Sequence, residues 1–109
     1  DLITNVPGRT FPYGMSIEII NINYYKSVIL NFSNANKEHV TNWFYDNPEL
    51  VNSYTYLNDK FSNLNGIKLA VDDERDLKNC ELIYNKLGFN VPVSLENISN
   101  ILSDISLLK

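Results

Sequence analysis

The chain has 109 residues, 44% of them apolar and 20% charged, a balance typical of folded domains that excludes extended disorder. Its length predicts one core, without a second of comparable size. A formal net charge of −4 argues against a nucleic-acid binder, and a single cysteine, Cys80, excludes an intramolecular disulfide and any multi-cysteine metal site. No apolar run approaches the ~18 residues of a membrane span, and the first residues carry no basic-then-apolar signal pattern. These features predict a cytoplasmic protein with no cofactor, no nucleic-acid partner and no membrane partner. Asn, Ile, Lys and Tyr supply 42 of the 109 residues, so the sequons at Asn31 and Asn97 are expected by chance.

Residues 1–15 read as an extended N-terminal arm, with Pro7-Gly8 as a turn and Pro12 keeping Phe11 out of helical geometry. Residues 16–109 read as a single domain. Ile17, Ile19, Ile20 and Ile22 form a β-branched run with apolar residues on both faces, which predicts a strand over 16–23 covered on both sides. A second strand-like piece over 27–32 makes a hairpin with it. Asn34 or Asn36 caps a short helix running through Trp43, Phe44 and Tyr45. Leu50, Tyr54, Leu57, Phe61 and Leu64 repeat at spacings of four and three, predicting a helix from Pro48 to the break at Asn65-Gly66. Residues 67–71 alternate and read as a strand or a packed loop.

The clearest unit opens with Asp72-Asp73-Glu74, whose carboxylates suit a helix start. Leu77, Cys80, Ile83, Tyr84 and Leu87 mark its buried face, and Gly88 stands where a left-handed C-terminal cap belongs. Residues 89–93 read as a short edge strand containing Pro92. Ser94 then caps a last helix with the stripe Ile98, Ile101, Leu102, Ile105 and Leu108. The order of elements predicts an α/β layered domain with a small, mainly parallel sheet flanked by helices.

Chemistry is sparse. His39 sits in a polar stretch and Cys80 on an apolar stripe, so each reads as structural rather than as half of a thiol–imidazole pair. Asp72, Asp73, Glu74 and Asp76 can hold a hard cation or perform carboxylate hydrolysis, but helix capping accounts for them better, and no calcium-loop spacing follows. The four glycines are scattered and make no phosphate loop. Trp43, Phe44 and Tyr45 are candidates either for the core or for a contact surface.

Two blocks carry a resemblance. Phe11-Pro12-Tyr13-Gly14-Met15-Ser16-Ile17-Glu18-Ile19-Ile20-Asn21-Ile22-Asn23-Tyr24-Tyr25 resembles the opening strand of the caspase family. The second block runs from Asp73 through Leu87-Gly88-Phe89-Asn90-Val91 and resembles that family's first helix and second strand, with Leu95-Glu96-Asn97-Ile98 paralleling the start of its next helix. The resemblance implies a caspase-like fold over 16–109 with a long insertion at 26–71. It also implies that the family's substrate-binding arginine and nearby glycine fall at Ala70 and Asp72, where neither residue is present. The family's catalytic histidine and cysteine lie beyond its second helix, past the residue matching Lys109, so His39 and Cys80 inherit no role. The expectation is therefore a catalytically inactive caspase-like domain, or a large-subunit fragment. It acts by protein–protein interaction, as a regulator of apoptotic-type cysteine peptidases or by self-association through the sheet edge, with Trp43, Phe44, Tyr45, Ile17 and Ile19 as interaction candidates. The alternative is a small acidic bacterial or phage binding protein such as a toxin-neutralising immunity protein, since acidic surfaces steer toward basic partners.

Overall fold

The structure, a computed structural model that describes residues 1–102, is a mixed α/β arrangement of one three-stranded sheet and five α-helices. The chain divides into two units. One comprises Asp1–Val6 and Ile17–Tyr56; the other comprises Pro7–Ser16 and the chain from Leu57 onward.

The first unit holds the sheet. Its strands are β1 (Leu2–Thr4), β2 (Glu18–Ile20) and β3 (Ser53–Thr55), in the order β2-β1-β3. Strand β1 pairs antiparallel with β2, Ile3 opposite Ile19, and parallel with β3, Ile3 opposite Tyr54. The sheet is thus mixed rather than mainly parallel. Leu2–Thr4 is its middle strand, which replaces the expected N-terminal arm at those residues. Pairing continues past the strand ends: the Asn5 N–H donates to the Ile17 carbonyl, Asn21 N–H to Asp1, Leu2 N–H to Asn52 and Tyr56 N–H to Thr4.

The strand expected over 16–23 is shorter and lies at an edge. It is not covered on both faces, because Ile17 and Ile19 are exposed. It ends where Asn21 caps helix α1 (Ile22–Val28), its Oδ1 accepting from the N–H groups of Asn23 and Tyr24 at 2.9 and 3.1 Å. That cap overrides the β-branched run. Residues 27–32 then continue as the end of α1 and a 3₁₀ turn, Ile29–Asn31, instead of a hairpin strand. Helical spacing brings Val28, Ile29 and Phe32 onto one core. Helix α2 (Asn34–Glu38) starts from a Ser33–Asn36 capping box, and α3 (Asn42–Asp46) follows it. The core gathers Leu2, Val28, Phe32, Trp43, Phe44 and Val51. Within it Phe32 stacks on Trp43 at 5.7 Å and meets Phe44 edge-on at 6.3 Å. The helix expected over 48–64 does not form. Its first half holds β3, and only the 3₁₀ turn Ser62–Leu64 is helical. Parallel pairing with β1 wins over the i, i+4 spacing.

The second unit packs α4 (Glu74–Leu87) against α5 (Leu95–Leu102) around Leu64, Ile67, Ile83, Leu87, Ile98 and Leu102, a second core as large as the first where the chain's length predicts only one. Helix α4 has the expected bounds. Asp73 caps it, accepting from the Asp76 N–H at 2.9 Å. Gly88 ends it with φ 83° and ψ 152°, a positive-φ but extended conformation rather than the left-handed one expected. The buried face carries Asp76, Ile83 and Leu87, with Cys80 half-buried, while Leu77 and Tyr84 are exposed. Residues 89–93 form no strand: a Gly88–Val91 turn occupies them, and the Pro92 carbonyl accepts from Asn97 Nδ2. Ser94 does cap α5, its Oγ accepting from the Asn97 N–H. The expected positions Ile105 and Leu108 lie outside the described residues. In the same unit Tyr13 bridges Lys68 in parallel, and Gly14 sits so close that an added Cβ would lie 2.9 Å from the Ala70 nitrogen. With φ 97° as well, only glycine fits there. Among the described residues no helix is long and apolar enough to cross a membrane.

Candidate functional site

The alternation of a strand assigns each sheet residue to one of two faces. In β1, Leu2 and Thr4 are buried and Ile3 is exposed between them. The covered face leads into the aromatic core, with Ile20 packed on it and Thr4 Oγ1 2.7 Å from the Tyr45 hydroxyl. That hydroxyl donates to Glu18 Oε1 at 2.5 Å, so the one charge on β2 is turned toward the covered side.

The opposite face is different in kind. Ile19, Ile3 and Tyr54 stand directly across from one another on the three strands, 59%, 50% and 62% exposed. Ile17 and Tyr56 extend the same face by two residues along the outer strands, and both are exposed. Ile19, Ile3 and Tyr54 therefore form an apolar and aromatic row, and Ile17 and Tyr56 flank the buried Asn5 beside it, with no charged residue among the five. A recess of about 270 Å³ opens at one end, lined by Asp1, Leu2, Ile3, Ile19, Ile20 and Asn21. Scattered exposed apolar residues are ordinary on proteins, but a contiguous patch on a sheet marks a contact surface.

The sequence-derived candidates separate cleanly against this face. Ile17 and Ile19 lie on it. Trp43 and Phe44 are buried in the core and Tyr45 is half-buried on the covered side, so these three do not form a contact surface. Their aromatic packing absorbs them. Ile3, Tyr54 and Tyr56 escaped the sequence reading. Their signal was a three-residue alternation at Leu2-Ile3-Thr4, legible only once β2 and β3 are paired to it.

Two other places hold reactive side chains. Lys68 Nζ lies 2.7 Å from Asp72 Oδ2 and 2.5 Å from Asp76 Oδ2, and Asp76 Oδ2 also accepts from the Asp72 N–H at 3.1 Å. The two hydrogen bonds, that to Asp72 first, hold the Lys68 ammonium above the usual lysine range. The Lys68 ammonium, followed by the Asp72 N–H, holds the Asp76 carboxyl below the usual carboxylate range. Both acidic groups are thus engaged in closing the start of α4. Among the described residues no group of three or more His, Cys, Asp and Glu is placed to hold a metal ion. Cys80 lines an apolar recess of about 260 Å³ with Leu69, Ile83, Tyr84, Leu87, Val93 and Ile98. His39 is exposed at the end of α2 and belongs to the other unit. Ala70, where the resemblance would put a substrate-binding arginine, is half-buried.

Comparison of the chain with protein-family models, with curated proteins and with solved structures finds no match in any of the three.

Proposed function

We propose that the chain is a non-catalytic protein-binding module that engages a partner protein through the open face of its sheet. The observation that carries this reading is the row Ile19–Ile3–Tyr54, exposed and uncharged across all three strands. Burying such a row removes apolar surface from water at roughly 25 cal/mol per Å², and aromatic residues such as Tyr54 and Tyr56 are favoured at interface centres. The single cysteine goes with a cytoplasmic setting for this role.

A narrower version makes the module a catalytically inactive caspase-like regulator of apoptotic-type cysteine peptidases. Its support is helix α4, bounded by Asp73 and Gly88, with α5 following it. The strand positions it needs over 16–23 and 89–93 are a three-residue edge strand and a turn, so the geometry favours the general reading. The net charge of −4 supports a basic partner, as an immunity-type protein would have.

The test places a photoreactive amino acid at Ile3 in the full chain and illuminates it in a lysate of its native cells. A discrete adduct is expected, competed away by the unlabelled chain but not by an Ile3→Lys/Tyr54→Lys variant. Competition of equal strength by both chains, or the absence of any discrete adduct, contradicts the proposal.

A further inference from the structure

Strand β2 has a second unpartnered feature besides its exposed side chains. The backbone of Ile17 accepts from Asn5 and that of Asn21 donates to Asp1, so the odd-numbered residues of this segment turn their N–H and C=O groups toward β1. By alternation the groups of Glu18 and Ile20 point the other way. Strand order β2-β1-β3 puts no strand on that side among the described residues. Of the usual protections of an edge, β2 has its three-residue length and the inward-turned charge of Glu18, bonded to Tyr45 on the covered side, but no lysine, no proline and no bulge.

We infer that β2 pairs antiparallel with β2 of a second copy of this chain, about a two-fold axis through Ile19. The register follows from the residues. Only groups of even-numbered residues face outward, so hydrogen-bonded pairs join 18 and 20 in some combination. Setting Glu18 opposite Glu18 of the second copy places two like charges across from each other. Setting Ile20 opposite Ile20 runs the pairing into Ile22, which already belongs to α1. Setting Glu18 opposite Ile20 avoids both, uses the whole strand and makes two reciprocal hydrogen-bonded pairs. Ile19 then faces Ile19 of the second copy as a non-hydrogen-bonded pair, the arrangement with the closest side chains. The strand is complementary to itself in one register, which is what an isologous two-fold contact requires. Strand β3 is the other open edge, but its outward groups belong to Ser53 and Thr55, and its exposed Tyr54 carries a polar hydroxyl where β2 has the wholly apolar Ile19. Pairing along β2 joins two three-stranded sheets into one of six, with the row Tyr54–Ile3–Ile19 doubled across the axis. The inference stands on the edge geometry and not on the binding role proposed for the face.

The register makes the test specific. In a full chain carrying Cys80→Ala, Ile19→Cys and Ile17→Cys are oxidised separately with glutathione disulfide. A non-hydrogen-bonded pair brings Cα atoms to ~4.5 Å, within disulfide reach, whereas residue 17 is roughly 13 Å from its own counterpart at ~3.4 Å per residue. Covalent dimer is expected from the residue-19 variant at a rate at least about tenfold above the residue-17 variant. Sedimentation of the unmodified chain, with no partner present, is expected to show dimer rising with concentration, and Ile19→Lys a monomer. Equal cross-linking at 17 and 19, faster cross-linking from Tyr54→Cys, or a monomer at every concentration overturns the inference. Because no other protein is present, a negative result leaves the partner-capture assay at Ile3 to decide the binding role by itself.

Discussion

At the scale of single residues, Asp76 does the most connected work in the second unit. Its backbone N–H donates to the Asp73 cap while its carboxylate accepts from Lys68 and from the Asp72 N–H. A carboxyl whose folded-state pKa is lowered adds stability that is fully present above its ordinary value of 3.8 and is lost as pH falls through the lower, folded-state value. Lys68 works in the opposite sense: with its folded-state pKa raised, its contribution is complete below 10.5 and is lost as pH rises beyond that, through the folded-state value. Acid unfolding followed by circular dichroism is therefore expected to lose part of its pH dependence below pH 4 in Asp76→Asn, with lower stability at pH 7. An unchanged acid limb shows that the Lys68–Asp76 pair is not formed in solution. Local chemistry of this type was legible in the sequence. Asp73 and Ser94 each sit beside the backbone groups they cap, so residue type and spacing were enough, while Gly88 ends α4 at the expected place but not in the expected conformation. Asn21 acts the same way at α1, yet its cap was hidden inside a run of isoleucines that reads as continuous strand.

At the scale of elements, the helices of the second unit were legible, whereas of the strands of the first only β2, inside the run 16–23, was. Helices α4 and α5 are held by bonds four residues apart, and their apolar stripes repeat over two or more turns. Even so, the stripe fixed the face of α4 only coarsely: Leu77 and Tyr84 belong to the same periodic set as Ile83 and Leu87 but lie on its exposed flank. The strands are three residues each, and β1 finds its partners 16 and 51 positions away at Ile19 and Tyr54. No window of sequence contains that information. The i, i+4 spacing over 50–64 was an accident of composition, which the register of β3 on β1 exposes. Helix α5 offers the sharpest check on this level, because Ile98 is almost wholly buried among Leu64, Ile83 and Leu87. Ile98→Ala is expected to lower stability by ~2–5 kcal/mol in denaturant unfolding, whereas Ile101, only partly buried, is expected to tolerate the same change better. Equal small losses at both positions contradict the packing of α5 on α4.

At the scale of the whole molecule, each unit is assembled from segments far apart in sequence. The chain leaves the sheet after Val6, passes through the second unit and returns at Ile17. The division assumed from sequence, an arm followed by one domain, treated residues 1–15 as a single segment. In fact their first six residues build the middle of a sheet and the rest build a different core. The candidate site was half legible for the same reason: Ile17 and Ile19 lie in an apolar run, while Ile3 and Tyr54 join them only through pairing. Trp43 and Phe44 drew attention by residue type, and burial removes them from any surface.

The open sheet face, rather than exposed apolar surface in general, is what we propose binds the partner. Leu30 and Phe89 supply the contrast, since at 92% and 85% exposure they offer more apolar surface each than any residue of the row but lie off the strands. Partner capture by a cross-linking chain is to be competed with Ile3→Lys, Ile19→Lys, Tyr54→Lys, Leu30→Lys and Phe89→Lys, each first shown to be folded by circular dichroism. The three face variants are expected to compete at least about tenfold more weakly than the unsubstituted chain, a loss on the scale of ~1.4 kcal/mol, while the Leu30 and Phe89 variants compete as well as it does. Loss of competition at Leu30 or Phe89 with retention at Ile3, Ile19 and Tyr54 would contradict it.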